Sequence, residues 1–358
     1  MSVYVIAEAG VNHNGSIDLA YKLIDLAVEA KADAVKFQTF VADSLVTKTA
    51  KKADYQMVSG DAEESQYSML KRLELTKTQF ADLHGYCLAK GIDFLSTAFD
   101  QVSLDFLSTD LKLAKLKIAS GELTNAPFVL EHARTGCDLI VSTGMADIED
   151  IKAALSVIAF GYTTKHGEAV PNMSNFEKAY SSYEGQDLLA KKVTLLHCTT
   201  EYPTPLEDVN LLALDSMRQS FGLEVGYSDH TQGINVPVAA VALGSTVIEK
   251  HFTLDCSMEG PDHSASLGPN DLKAMIVAIR ETELALGCSE KKVTASEFQN
   301  RSVVRKSIVA TSAIRKGELY SSANIGIMRP GTGLSPYRYW EIIGTRANSE
   351  VEVGETIE

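Results

Sequence analysis

Short apolar, β-branched runs alternate along most of the chain with segments whose apolar residues recur at helical spacing. The runs are V-Y-V-I-A-E (3–8), A-V-K-F-Q-T (34–39), I-D-F-L-S-T (92–97), L-K-I-A-S (116–120), D-L-I-V-S-T (138–143), V-T-L-L-H-C (193–198), L-E-V-G-Y-S (223–228) and S-T-V-I-E-K-H (245–251). Amphipathic segments include 16–31, 77–90, 147–159 and 269–287. A repeated β-then-α order predicts a parallel sheet, because each strand must return over one face before the next pairs beside it. Eight such units in about 285 residues predict a closed (β/α)8 TIM barrel, with a doubly wound open sheet as the alternative. Ser16 is placed to N-cap the first helix. Asp147, Glu149 and Asp150 put acids in a first turn, where the helix dipole favours them.

Two stretches break the alternation. Residues 160–190 are rich in Gly, Ser and Tyr and read as a long insertion, either a lid or interaction loop or a solvated surface insert. Residues 288–301 are polar and read as a linker. Beyond it, 302–358 carry short apolar runs among turn signals, which predicts a small β-rich module of marginal stability by itself. The expected organisation is a catalytic barrel over 1–287, a linker over 288–301 and a β-rich domain over 302–358.

Composition narrows the functional classes. No run of about 18 apolar residues indicates a membrane-spanning helix. The start, M-S-V-Y-V-I-A-E-A-G, lacks the basic region of a signal peptide. Five widely spaced cysteines (Cys87, Cys137, Cys198, Cys256, Cys288) form no C-x-x-C, which favours reduced thiols in a cytoplasm. A net charge of −14 argues against nonspecific nucleic-acid binding. It also means that an anionic substrate needs a locally basic pocket.

Barrel enzymes carry their chemistry at the C-terminal ends of the strands. Here every predicted strand ends in polar groups: Glu8; Lys36 and Gln38; Ser96 and Thr97; Lys117, Ser120 and Glu122; Ser142 and Thr143; His197; Ser228, Asp229 and His230; Glu249, Lys250 and His251. Any one of these is easily a satisfied core or surface residue. All eight strands ending this way favours an enzyme. Neighbouring strands would bring His230 and His251 to about one strand spacing, near 5 Å. Two imidazoles with oxygen ligands suit Mn²⁺ or Mg²⁺ better than closed zinc. Lys36 and Lys117 among hydroxyls describe a pocket for phosphate or carboxylate. Internal salt bridges to Glu8 or Glu122 are the structural alternative. Glu249 shares the face of His251 and should lie deeper, beside an interior lysine. Lys250 points the other way and has no evident role. N-H-N-G at 12–15 reads as turn chemistry. Asp262 in G-P-D-H either reaches a metal-bound water or caps its loop.

The ordered set A-E-A-G-V-N-H-N-G, V-K-F-Q-T-F, F-L-S-T-A-F-D, K-I-A-S-G-E, S-T-G-M, H-C-T-T-E-Y-P-T-P, G-Y-S-D-H-T, I-E-K-H-F-T-L-D and G-P-D-H resembles the sialic acid synthase family. The tail, R-K-S-I-V-A, I-R-K-G-E and R-P-G-T-G, resembles its antifreeze-type SAF domain. The resemblance implies condensation of phosphoenolpyruvate with an N-acetylmannosamine-type sugar, giving a nine-carbon sialic acid and phosphate. It implies a divalent cation (Mn²⁺ or Mg²⁺) and a homodimer with exchanged SAF domains. Carried onto this chain, Lys36, Thr97, Lys117, Ser120, Ser142 and Ser228 match phosphoenolpyruvate-binding positions. His230 and His251 match metal ligands. Glu8, Gln38, Tyr202, Asp262 and Arg329 match the sugar side. Glu122 matches a catalytic carboxylate, with Glu8 and Lys117 beside the chemistry. Three positions depart from some members: Thr200 stands for an Asn that helps hold phosphate, Val303 for an SAF aromatic, and Asp61 for a sugar-contacting Asn. A synthase for the N,N′-diacetyllegionaminate type is the same-fold rival. A metal-dependent aldolase and a non-catalytic SAF-type binding protein are more distant ones.

Overall fold

The computed structural model describes residues 2–50 and 64–358. Asp61 lies outside them. Eight parallel strands close into a barrel in sequence order. They are β1 (Tyr4–Gly10), β2 (Ala34–Thr39), β3 (Asp93–Ala98), β4 (Lys115–Ile118), β5 (Asp138–Ser142), β6 (Val193–His197), β7 (Glu224–Asp229) and β8 (Val247–His251). This is the expected barrel, and the open sheet is set aside. Closure pairs β1 with β8 so that Glu8 stands opposite His251, and pairing with β2 puts Glu8 opposite Lys36.

Alternation explains what fills the interior. Ile6, Ala34, Leu95, Ile140, Leu196 and Val247 form a separate apolar layer inside the barrel. Two residues further along five of these six strands the same face turns polar, at Glu8, Lys36, Thr97, Ser142 and Glu249, while β6 is followed by Cys198. The apolar layer therefore plugs the barrel below the polar one. The larger core lies between strands and helices. At the end of β1 the register shifts between Glu8 and Gly10. Gly10 has φ +53°, and a Cβ there would press on His251, Gln38 and Glu8 at 3.3–3.4 Å. A side chain at this position would be strained and would crowd the polar layer.

Helix signals hold where they are local. The Ser16 side chain accepts from the Leu19 amide ahead of the helix Ile17–Ala30. Asp147 accepts from Glu149 and Asp150 in a capping box. The stretch 160–190 differs from the reading as a loop insertion. The preceding helix runs on through Ile148–Thr163, and Met173–Ser181 and Tyr183–Lys192 are two further helices, N-capped by Asn172 and Ser182. Phe176 is buried edge-on against Phe160, and Leu189 is buried too. A few anchors at helical spacing suffice to dock a segment that is polar on average.

The chain divides into two compact units, 1–287 and 288–358. In the second, the segment read as a linker (288–301) contains a short helix, Ala295–Phe298, started by a Thr294–Glu297 capping box, and a second, Asn300–Val304, crosses its expected end. Val303 is exposed there. Ser307–Ala310 pairs antiparallel with Ile325–Met328. Ile308, Ala310, Ile314, Ile325, Ala347, Val351 and Ile357 make a small core of their own. A small antiparallel sheet of this kind fits the SAF-like domain.

Candidate active site

A cavity of about 410 Å³ opens over the C-terminal ends of the strands. Its floor is a buried charge cluster. Lys36 Nζ lies 2.7 Å from Glu8 Oε2 and 3.6 Å from Glu249 Oε2, and donates to Thr97 Oγ1 at 3.1 Å. Lys117 Nζ lies 3.8 Å from Glu249 Oε1 and donates to Ser142 Oγ at 2.6 Å. Ser228 Oγ donates to Glu249 Oε1 at 3.1 Å. The anticipated partner Glu8 is present. Glu122 is not a partner: it sits half-buried in a 3₁₀ turn after β4 and accepts from Asn125 Nδ2 at 2.8 Å. Glu249 takes its place between the lysines.

The two carboxylates differ in environment. Burial pushes Glu8 upward, and the neighbouring Glu249 adds to this against the pull of Lys36. Burial also acts upward on Glu249, but Lys117, Lys36 and His251 together hold it below the usual range. Burial lowers Lys117, whereas Glu249 and Glu8 outweigh burial for Lys36 and raise it. With both glutamates ionised the floor is neutral. With a proton on Glu8 it carries one excess positive charge, which an entering phosphate or carboxylate would balance.

Beside the floor stand the two imidazoles, with ring centroids 5.7 Å apart. His230 Nδ1 is 2.6 Å from the Thr199 carbonyl. Only a protonated Nδ1 can donate there, so Nε2 keeps its lone pair. His251 Nδ1 has no hydrogen-bond partner among the described residues and lies 3.9 Å from Asp262 Oδ2. Burial lowers both imidazoles, and His230 lowers His251 further. Both are therefore neutral at physiological pH, as ligands must be. Burial pushes Asp262 up to about 6. The Tyr202 ring lies 4.1 Å from His230. The pair fits two nitrogen donors of a cation otherwise held by water or substrate oxygens. No set of three or more His, Cys, Asp or Glu that could hold a metal exists among the described residues.

On the opposite side, Ser120 Oγ accepts from the Gly144 amide at 3.0 Å and touches Cys198 Sγ at 3.2 Å. A Cβ on Gly144 would fall 2.3 Å from Thr200 Oγ1 and 2.9 Å from Ser120 Oγ, so a side chain there would displace these hydroxyls. Thr200 Oγ1 is buried without a hydrogen-bond partner among the described residues. The threonine therefore keeps a hydroxyl at the cavity wall. Gln38 also lines the cavity. Arg329 is exposed in the C-terminal unit.

Three features escape local sequence patterns. Glu249 lies deeper than His251, as their shared strand face predicts; what the sequence does not give is that it reaches both lysines at once. The N-H-N-G turn does more than turn: Asn12 Nδ2 donates to Phe252 O (2.8 Å) and Ser266 Oγ (2.9 Å), and Asn14 Nδ2 donates to Glu259 O (2.9 Å). Ser266 Oγ in turn donates to Asp262 O at 2.6 Å. The loop carrying Asp262 is thus held by residues some 240–250 positions away. Among the described residues the Asp262 side chain makes no cap hydrogen bond, and its Oδ2 lies 3.9 Å from His251 Nδ1. Finally, Lys250 lies on the outer face, where Nζ bonds Asp229 Oδ2 and the Thr231 carbonyl.

Fold and cavity together define a barrel whose C-terminal face sets two buried lysines beside two buried imidazoles. Residues 23–291 match the NeuB family. The chain is 44% identical over 353 residues to the N,N′-diacetyllegionaminic acid synthase of Campylobacter jejuni, covering 99% of this chain and 98% of that one. It is 42% identical to the N,N′-diacetyllegionaminic acid synthase of Legionella pneumophila, covering 100% and 94%. The N-acetylneuraminic acid (sialic acid) synthetase of Leptospira borgpetersenii, solved with citrate, aligns with a TM-score of 0.66 at 31% identity, over 84% of this chain and 90% of that one. The chain belongs to the NeuB family and is an enzyme of the nonulosonic acid synthase class. No helix among the described residues is long and apolar enough to cross a membrane.

Proposed function

We propose that the chain condenses phosphoenolpyruvate with 2,4-diacetamido-2,4,6-trideoxymannose, releasing phosphate and N,N′-diacetyllegionaminate. The observation that carries the chemistry is the floor: two buried lysines among hydroxyls, set beside two neutral imidazoles in one cavity. The family resemblance implies an N-acetylmannosamine-type sugar, while the wording T-T-E-Y-P and G-Y-S-D-H-T leans toward the diacetyllegionaminate type. Identities of 44% and 42% to two diacetyllegionaminic acid synthases, against 31% to the N-acetylneuraminic acid synthetase, move the diacetamido sugar ahead.

In this reading Lys36 and Lys117, with Thr97, Ser120, Ser142 and Ser228, hold the phosphate and carboxylate of phosphoenolpyruvate. Glu249 keeps both lysines in place. Glu8, Gln38, Tyr202 and Asp262 orient the open-chain sugar. His230 and His251 hold a divalent cation, Mn²⁺ or Mg²⁺. A cation bound there would supply Lewis-acid chemistry to the acceptor sugar's carbonyl. C3 of phosphoenolpyruvate attacks the aldehyde carbon, and C2 becomes electron-poor. Glu122 directs water onto C2 and takes its proton. Phosphate departs with the bridging oxygen, its charge met by the lysines. Atoms balance as phosphoenolpyruvate, sugar and water in, nonulosonate and phosphate out. Arg329 completes the sugar side from a second copy of the chain, in an exchanged homodimer. The setting is a cytoplasm, in keeping with five cysteines that form no disulfide.

The reading is tested by assaying phosphate release with each sugar. The diacetamido sugar is expected to give at least about 10-fold higher kcat/KM. Preference for N-acetylmannosamine would return the assignment to the N-acetylneuraminate type. Turnover of pyruvate without phosphate would identify an aldolase instead.

A further inference from the structure

Three successive strands pass into the cavity through an apolar residue: β1 into Val11, β2 into Phe40 and β3 into Phe99. The helix Gln66–Leu73 sets Met69 and Leu70 beside them, and the short helix Ala42–Leu45 adds Leu45. Val11, Phe40 and Met69 are buried, and Leu45, Leu70 and Phe99 pack on them, in a cluster separate from the two cores of the barrel unit. A satellite cluster of this kind usually seals a loop to the barrel. This one also forms a wall of the cavity, where Glu8, Gln38, Gln66 and Thr97 are its nearest polar companions in sequence. Phosphoenolpyruvate is small, carries two anionic groups and is matched to the lysine floor. It has little apolar surface to offer, so the wall faces the other substrate.

We infer that this wall is the element that selects the acceptor sugar, taking the C6 methyl and the C4 acetamido methyl of a 2,4-diacetamido-2,4,6-trideoxy hexose. The inference rests on the function proposed above and names the residues that would enforce it. Against carbon, a methyl is desolvated favourably. A C6 hydroxyl would lose its water without gaining a partner. Apolar pockets reject an added hydroxyl by at most on the order of 10²-fold, so the wall sets a preference, not an absolute barrier.

Leu45 and Leu70 are half-buried, so polar side chains there need not empty a core. The test measures kcat/KM for both sugars, and KM for phosphoenolpyruvate, in the wild type and in Leu70→Gln, Leu45→Asn and Leu70→Met, each first checked for an unaltered melting profile. Leu70→Gln and Leu45→Asn are expected to reduce the diacetamido preference about 10-fold with the phosphoenolpyruvate KM unchanged. Leu70→Met is expected to keep the preference. Should one polar variant fail to fold, the other carries the test. A wild type that prefers the diacetamido sugar, with the ratio unmoved in the folded polar variants, overturns the wall and leaves the proposed function standing. A wild type that prefers N-acetylmannosamine overturns both.

Discussion

A His251→Ala protein is expected to bind Mn²⁺ on the order of 10² times more weakly, with kcat/KM at fixed Mn²⁺ falling at least as far. Loss of an outer-shell partner alone costs 10–100-fold in metal affinity, and a direct ligand should cost no less. The expectation rests on two particulars. His251 Nδ1 is without a hydrogen-bond partner among the described residues, and burial keeps both imidazoles neutral. The folded state should survive, because His251 lies at the cavity surface, not in an apolar core. Titration of bound Mn²⁺ by electron paramagnetic resonance reads the effect without relying on turnover. His197 is the control. It also ends a strand, but its Nε2 is 2.8 Å from the Val209 carbonyl, a structural contact. His197→Gln should leave Mn²⁺ affinity unchanged. Normal Mn²⁺ binding by His251→Ala would remove the metal assignment.

The second large effect concerns stability. Lys250→Met is expected to destabilise the barrel by about 3–5 kcal/mol, the usual result of stripping one partner from a buried ion pair. The side chains of Lys250 and Asp229 are 1% and 0% exposed. Asp229 also accepts from the Thr231 amide and hydroxyl, both at 3.1 Å. Removing the ammonium leaves an uncompensated carboxylate among these donors. The pair binds the residue after Ser228 to the residue before His251, so it also fixes the spacing of the strands that carry both imidazoles. Urea unfolding of the single variants and of Asp229→Asn/Lys250→Met measures the effect. The double variant should recover much of the loss, because no buried charge is left alone. A Lys250→Met protein as stable as the wild type would contradict the account.

The barrel was legible because its signals are local and repeated. Each strand carries its own β-branched run, and each turns polar at the same end. The same alternation groups Lys36, Lys117, His230 and His251 at the inner, C-terminal end of the strands. It failed where a role depends on partners distant in sequence. Asn12 and Asn14 form an ordinary turn by composition, and only closure of β1 on β8 brings them to the 259–266 loop. Lys250 looked misplaced because its partner, Asp229, sits on another strand. Between Glu122 and Glu249 the sequence offers two carboxylates at strand ends. Register selects Glu249 for the lysines, since it pairs opposite Ser228. The helices of 160–190 were hidden by polar composition, and their docking rests on a few residues such as Phe176 and Leu189. Val11, Phe40 and Phe99 are apolar residues just past strand ends, with nothing in their local sequence to mark them for the site. Their exposure to a cavity is a property of packing.

The central claim is that a bound phosphoenolpyruvate loses phosphate by C–O cleavage as its C3 joins the sugar. It is tested most directly with phosphoenolpyruvate carrying ¹⁸O in the bridging position, turned over with the diacetamido sugar and Mn²⁺. One equivalent of phosphate per nonulosonate, containing the label, is the predicted result. Label retained in the nine-carbon product, or condensation without phosphate, would contradict it.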